Sequence, residues 1–142
     1  MASDRKKEVI NKCLDHFIAN GLETSTRSLS NALQLQNAGL YYYFGNKDEA
    51  VVLCTEEAAL RLENALLPSV SNGIDDPEAM MELIRARAVE MAPTMRFFAS
   101  VCVSNRYREA VKPILDRLAQ RYDRYAEKVA EHLRCDKAEI EP

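Results

Sequence analysis

Apolar residues return at every third or fourth position through most of this chain, the period of a helix that buries one face. Val9, Ile10, Cys13, Leu14, Phe17 and Ile18 make such a face over about 5–19, with its charged start outward and Asn20-Gly21 as its end. Thr26 then caps a short second helix carrying Leu29, Ala32 and Leu33, followed by a turn near Gln34-Leu35. A very short third helix, about Gln36 to Phe44, sets Leu40 and Phe44 on one side as anchors. Ala38, Gly39 and Tyr42 fall opposite them, with Tyr41 and Tyr43 on the flanks.

Asn46-Lys47-Asp48-Glu49 reads as a capping box. It opens a long fourth helix to about Leu67, striped by Ala50, Val51, Cys54, Ala58, Leu62, Ala65 and Leu66. Pro68 to Asp76 is a loop and the clearest break in the chain. Pro77 starts a helix to about Met91, and Pro93 opens a separate, more apolar one containing Met95, Phe97, Phe98, Val101 and Val103. The last helix runs from about Glu109 to Arg134, with Pro113 either kinking it or marking its first turn. Asp136 and Glu139 then resemble the cap of a further helix.

Composition agrees with an all-α fold: 47% apolar residues, only four glycines, five prolines, and many Ala, Leu, Glu, Arg and Lys. The net charge of −3 is unevenly spread. Residues 1–48 hold six basic against five acidic side chains, and the remainder thirteen against seventeen. Such a difference permits an anion-binding end without demanding one. Cys13, Cys54, Cys102 and Cys135 lie far apart with no Cys-x-x-Cys pair, which argues for reduced, buried thiols and against a metal site. Asp4, Arg5, Lys6 and Lys7 precede no apolar leader segment, and no run reaches the roughly 18 apolar residues of a membrane span. The expectation is a cytoplasmic protein without a membrane partner.

Four of the ten Tyr and Phe side chains stand in the consecutive positions Tyr41, Tyr42, Tyr43 and Phe44. Successive helical residues turn by about 100°, so they cannot all be core. Three short helices, the second and third joined by a tight turn, and then a long helix form the layout of a helix-turn-helix module that binds DNA.

The segment from Phe17 through Gly21, Thr26, Leu29, Leu35, Leu40-Tyr41, Phe44 and Lys47 to Ala50 resembles the tetracycline-repressor (TetR) family of bacterial transcription regulators. The likeness covers about residues 5–55, with Leu-Tyr-x-x-Phe-x-x-Lys at the family's spacing from the second helix. Gln34 stands where the family usually has a turn glycine, and Asn37 where a lysine is common. The resemblance implies a DNA-binding domain over 1–48 and a helical ligand-binding and dimerisation domain over 49–142. It also implies that the chain ends before the family's last two helices, so that either the chain is a truncated piece or a homodimer would use other surfaces, such as the last long helix.

In this reading Gln36 and Asn37 meet base edges, since their amides pair bidentately with adenine. Ala38 and Gly39 allow close approach, while Tyr41, Tyr42 and Tyr43 bond phosphates or cover thymine methyls. Lys47 adds charge at the start of the fourth helix, Thr26 and Arg27 reach the backbone from the second, and Arg5 and Lys6 from the first. Met80, Met91, Met95, Phe98 and Cys102 are candidates for a small-molecule effector pocket, with a plain core as the alternative.

The function these residues imply is a transcriptional repressor that binds a palindromic double-stranded DNA operator as a dimer and is released by an effector. The alternative is an all-helical adaptor that docks proteins on its tyrosine face. No catalytic arrangement, cofactor motif or phosphate-cradling glycine loop is present in the sequence, so an enzyme is not expected.

Overall fold

A computed structural model describes residues 2–34, 37–66 and 77–132. All regular structure among the described residues is α-helical: α1 (Ala2–Asn20), α2 (Thr26–Ala32), α3 (Asn37–Tyr43), α4 (Lys47–Leu66), α5 (Pro77–Val103) and α6 (Arg108–His132). None of these helices is long and apolar enough to cross a membrane.

Helix α1 stops where its sequence says it must. Gly21 takes φ 86, the left-handed conformation that costs a side-chain-bearing residue about 1–2 kcal/mol, and its N–H bonds the Phe17 carbonyl at 2.7 Å. His16 then braces the loop: Asn20 donates to its Nδ1 at 3.2 Å, which leaves Nε2 to donate to Thr24 Oγ1 at 2.9 Å. The cap of α2 is Ser25, not Thr26 as its sequence suggests. Ser25 Oγ accepts from the Ser28 N–H at 3.0 Å, so Thr26 is the first helical residue.

One proline reading is corrected, and another is decided between its two alternatives. Pro93 opens no new helix; α5 runs through it from Pro77 to Val103. A proline in a helix interior costs about 3 kcal/mol. Burying Phe97, Phe98 and Val101 on one continuous face offsets that cost, since each contributes about 1.5–3 kcal/mol. The carbonyl that Pro93 cannot bond belongs to Val89, a residue 72% exposed and so on the solvent side of the helix. Pro113 likewise lies inside α6, past its first turn.

Helix α4 is the axis of the molecule, packing against α1, α5 and α6. One apolar cluster joins Val9, Leu14 and Phe17 of α1, Leu29 of α2, Leu40 of α3, Val51 and Leu62 of α4, Phe97 of α5, and Ile114 and Leu118 of α6. Phe17 stacks on Phe97 with centroids 6.0 Å apart. Arg61 of α4 ties α1 down from outside this core, reaching Asp15 Oδ1 at 2.9 Å and Asn11 Oδ1 at 2.8 Å. Cys13 and Cys54 are buried in the α1–α4 contact as free thiols, while Cys135 lies outside the described residues.

Candidate interface at the third helix

Two short helices carry the candidate surface, and the turn between them depends on an unusual backbone. After α2 ends with the Leu33 N–H on the Leu29 carbonyl, Gln34 adopts φ 57. That left-handed conformation favours glycine, and it falls on the position where the resemblance would place one. Gln34→Gly is therefore expected to stabilise the fold by about 0.5–1 kcal/mol, the relieved strain less the glycine's extra unfolded-state entropy. A thermal melt checks this, and an unchanged or lowered midpoint contradicts a strained Gln34.

Helix α3 has seven residues, too few to hold itself together in water, so its anchors decide its place. Leu40 and Phe44 are both buried, and the Phe44 N–H bonds the Leu40 carbonyl at 3.0 Å. The chain then breaks and restarts as α4. Asn46 Oδ1 accepts from the Glu49 N–H at 2.9 Å, while Glu49 Oε2 accepts from Gly45 N–H at 2.6 Å. A Cβ at Gly45 would sit 2.6 Å from that same oxygen, so glycine lets the cap close.

Opposite the anchors, Tyr42 is 77% exposed, the most exposed of the large apolar side chains described. Its ring meets Tyr43 edge-on at 5.1 Å. Tyr43 is half-buried against the core, and Arg5, ion-paired with Glu8 at 3.2 Å, has its pKa raised first by Tyr43 and then by Glu8. The N-terminal part of α1 therefore stands beside α3. Gly39 and Lys47 are half-exposed, Thr26 likewise, and Lys6 and Arg27 are exposed. Gln36 lies outside the described residues, as do the side chains of Asn37, Ala38 and Tyr41, whose backbone belongs to α3.

A polar cluster that no local motif announces lies behind this surface. Arg106 grips Asp48 with two parallel bonds, Nε to Oδ1 at 2.9 Å and Nη2 to Oδ2 at 3.1 Å, and Tyr107 donates its hydroxyl to Oδ1 at 3.1 Å. The Arg106 guanidinium lies 5.8 Å from the centre of the Tyr107 ring. These bonds hold the Asp48 carboxyl below its ordinary pKa, with Arg106 the largest cause, while burial and then Asp48 push Tyr107 up. The cluster ties the first turn of α4, next to Lys47, to the α5–α6 connection. It also occupies a carboxylate that would otherwise repel an anion at this helix start.

The candidate effector residues are spread over one helix. Phe98 is core, Met91 and Cys102 are partly buried against it, and Met95 is 44% exposed. The side chain of Met80 lies outside the described residues. A cavity of about 190 Å³ between α1 and α5 is lined by other residues, among them Phe17, Leu22, Pro93 and Arg96. No group of three or more potential metal ligands is found among the described residues.

Compared with models of protein families, with curated proteins and with solved structures, the chain finds no match in any of the three.

Proposed function

We propose that this protein is a DNA-binding transcriptional regulator of the TetR type, acting as a repressor, with α2 and α3 as a helix-turn-helix and α3 as the reading element. The observation that carries the reading is the two-sidedness of α3. Leu40 and Phe44 lock one side into the core while Tyr42 stands almost fully in solvent on the other. A seven-residue helix held in this way presents Gly39 and Tyr42 on its outer side, and the other helices of the module carry the exposed Lys6 and Arg27 and the half-exposed Lys47. The major groove is about 12 Å wide and admits one helix, with phosphates on both sides for those cations.

Two copies docking on half-sites about 34 Å apart would make binding steep, since a shift of a few Å undocks one head. Losing one head forfeits about 10² to 10⁴ in effective concentration. A small-molecule effector bound among the C-terminal helices would act by changing that separation. The Asp48–Arg106–Tyr107 cluster is the direct link through which the α5–α6 connection reaches the start of α4.

The deciding experiment is selection of genomic DNA fragments with the purified protein, which should return one inverted-repeat motif. Random fragments would leave the regulator reading without support. Tyr42→Ala and Lys47→Ala are each expected to weaken binding to that motif by about 1–3 kcal/mol with melting unchanged. Loss of the fold in either variant would remove that residue from the interface.

The absence of a basic residue in α3 and the large exposed ring of Tyr42 also suit a protein partner. That second reading, an adaptor docking through the tyrosine face, predicts binding that survives salt.

A further inference from the structure

Helices α4 and α6 run side by side in the same direction: Asp48 meets Arg106 and Tyr107 just ahead of α6, Glu56 faces Arg117 at 3.9 Å, and Glu63 faces Arg121 at 3.5 Å. Between the last two pairs lies a groove of about 150 Å³ with an apolar floor of Ala59, Leu60 and Ile114. Leu60 is 49% exposed there, although most of the apolar side chains of α4 are buried. One side of α4 reads Glu49, Leu53, Glu56, Leu60, Glu63 at steps of four and three, with Glu49, Glu56 and Leu60 exposed. On α6, Arg117, Arg121, Arg124 and Lys128 follow the same steps. Four-three spacing is the period with which a helix keeps one seam against a neighbouring helix.

We infer that this face is the contact between two copies of the chain, paired about a two-fold axis parallel to the groove. The charges select that axis. A two-fold parallel to the helices exchanges left and right while keeping height, so the acidic row of α4 lies over the basic row of α6 in the other copy, and the reverse. Glu56 then meets the second copy's Arg117 at its own level, and Glu63 its Arg121, with the two Leu60 side chains closing over the apolar floor. An axis perpendicular to the groove would lay acid on acid and base on base, which costs several kcal/mol. Within one copy the same pairs are long, and the exposed Glu56–Arg117 pair contributes about 0–1 kcal/mol.

The parallel axis has a second consequence, which rests on the proposed function: because height is kept, both α3 helices emerge at the same end of the dimer. An inverted-repeat operator requires that arrangement. The pairing itself is measured without DNA, so its failure and the failure of the DNA reading are separate results.

The test is sedimentation of the full chain at micromolar concentration, where a species of twice 16.1 kDa is expected. Glu56→Arg with Glu63→Arg makes both sides of the groove basic, and Arg117→Glu with Arg121→Glu makes both sides acidic. Each variant alone should associate at least about a hundredfold more weakly. Mixed in equal amounts, the two should recover the dimer, because each then supplies the row the other lacks. Ion pairs that matter only within one chain would not be restored by mixing. Because the Glu63 side chain is only 15% exposed, helicity is checked by circular dichroism, and Leu60→Glu serves as an independent variant that should be monomeric with an unchanged melt. A monomeric wild type, or a mixture that stays monomeric while both variants are folded, overturns the assignment.

Discussion

Phe44→Ala is expected to lower the stability of the protein by about 3–5 kcal/mol, and Leu40→Ala by about 2–5 kcal/mol. Both side chains are buried in the common apolar cluster, so truncation loses transfer free energy and leaves a cavity that the helices can only partly close. Domains of this size have about 5–15 kcal/mol in all, so either change removes a large share. The consequence for α3 is greater than for a long helix. Seven residues fall below the length at which a helix persists alone, so its geometry depends on these two anchors and the flanking caps. Urea unfolding measures the loss as a lowered midpoint at constant slope. Tyr42→Ala, on the opposite side, should stay within about 0.5 kcal/mol of wild type. Equal stability of the Phe44 and Tyr42 variants would mean that α3 is not pinned as described.

If the protein binds operator DNA as proposed, its affinity should fall by about 10³ to 10⁴ between 50 and 200 mM salt. The figure follows from the exposed cations of the proposed DNA-binding module. Arg5, Lys6, Arg27 and Lys47 are at least partly exposed, four in each copy and so eight if two copies bind as proposed. Each phosphate neutralised contributes about −0.9 to the slope of log affinity against log salt, and six to eight contacts give about −5 to −7. Since α3 itself carries no charged side chain, this dependence would belong to α1, α2 and the start of α4, and under the proposed function Tyr42 would set a part of the affinity that salt does not touch. Fluorescence anisotropy with a labelled duplex carrying the selected motif reads the slope. A nearly flat dependence would favour the adaptor reading, in which aromatic contacts carry the binding.

The anchors of α3 were legible because Leu40 and Phe44 are four apart, and spacing alone puts such residues on one side of a helix. The cap before α4 was legible because Asn46 and Glu49 act on the backbone within a single turn. Adjacent hydroxyls were less informative. Ser25 and Thr26 are both good caps, and the backbone path, with Ser25 extended, chose between them. Local rules also misjudged Pro93, whose cost is set within one turn but is offset by apolar contacts to other helices.

By itself, then, the sequence determined that the chain is helical, where most of its helices start and stop, and that Leu40 and Phe44 share one side of α3. These are effects of hydrogen bonding and side-chain spacing over a few residues. Only the tertiary structure decided that Asp48 would be held by Arg106 and Tyr107, 58 and 59 residues away, and that Arg5 would meet Tyr43. It alone brought the acidic row of α4 beside the basic row of α6. The physical reason is that partners remote in sequence meet only when the burial of Val51, Phe97, Ile114 and their neighbours packs the helices together, and no local propensity encodes which charged side chains that packing leaves side by side.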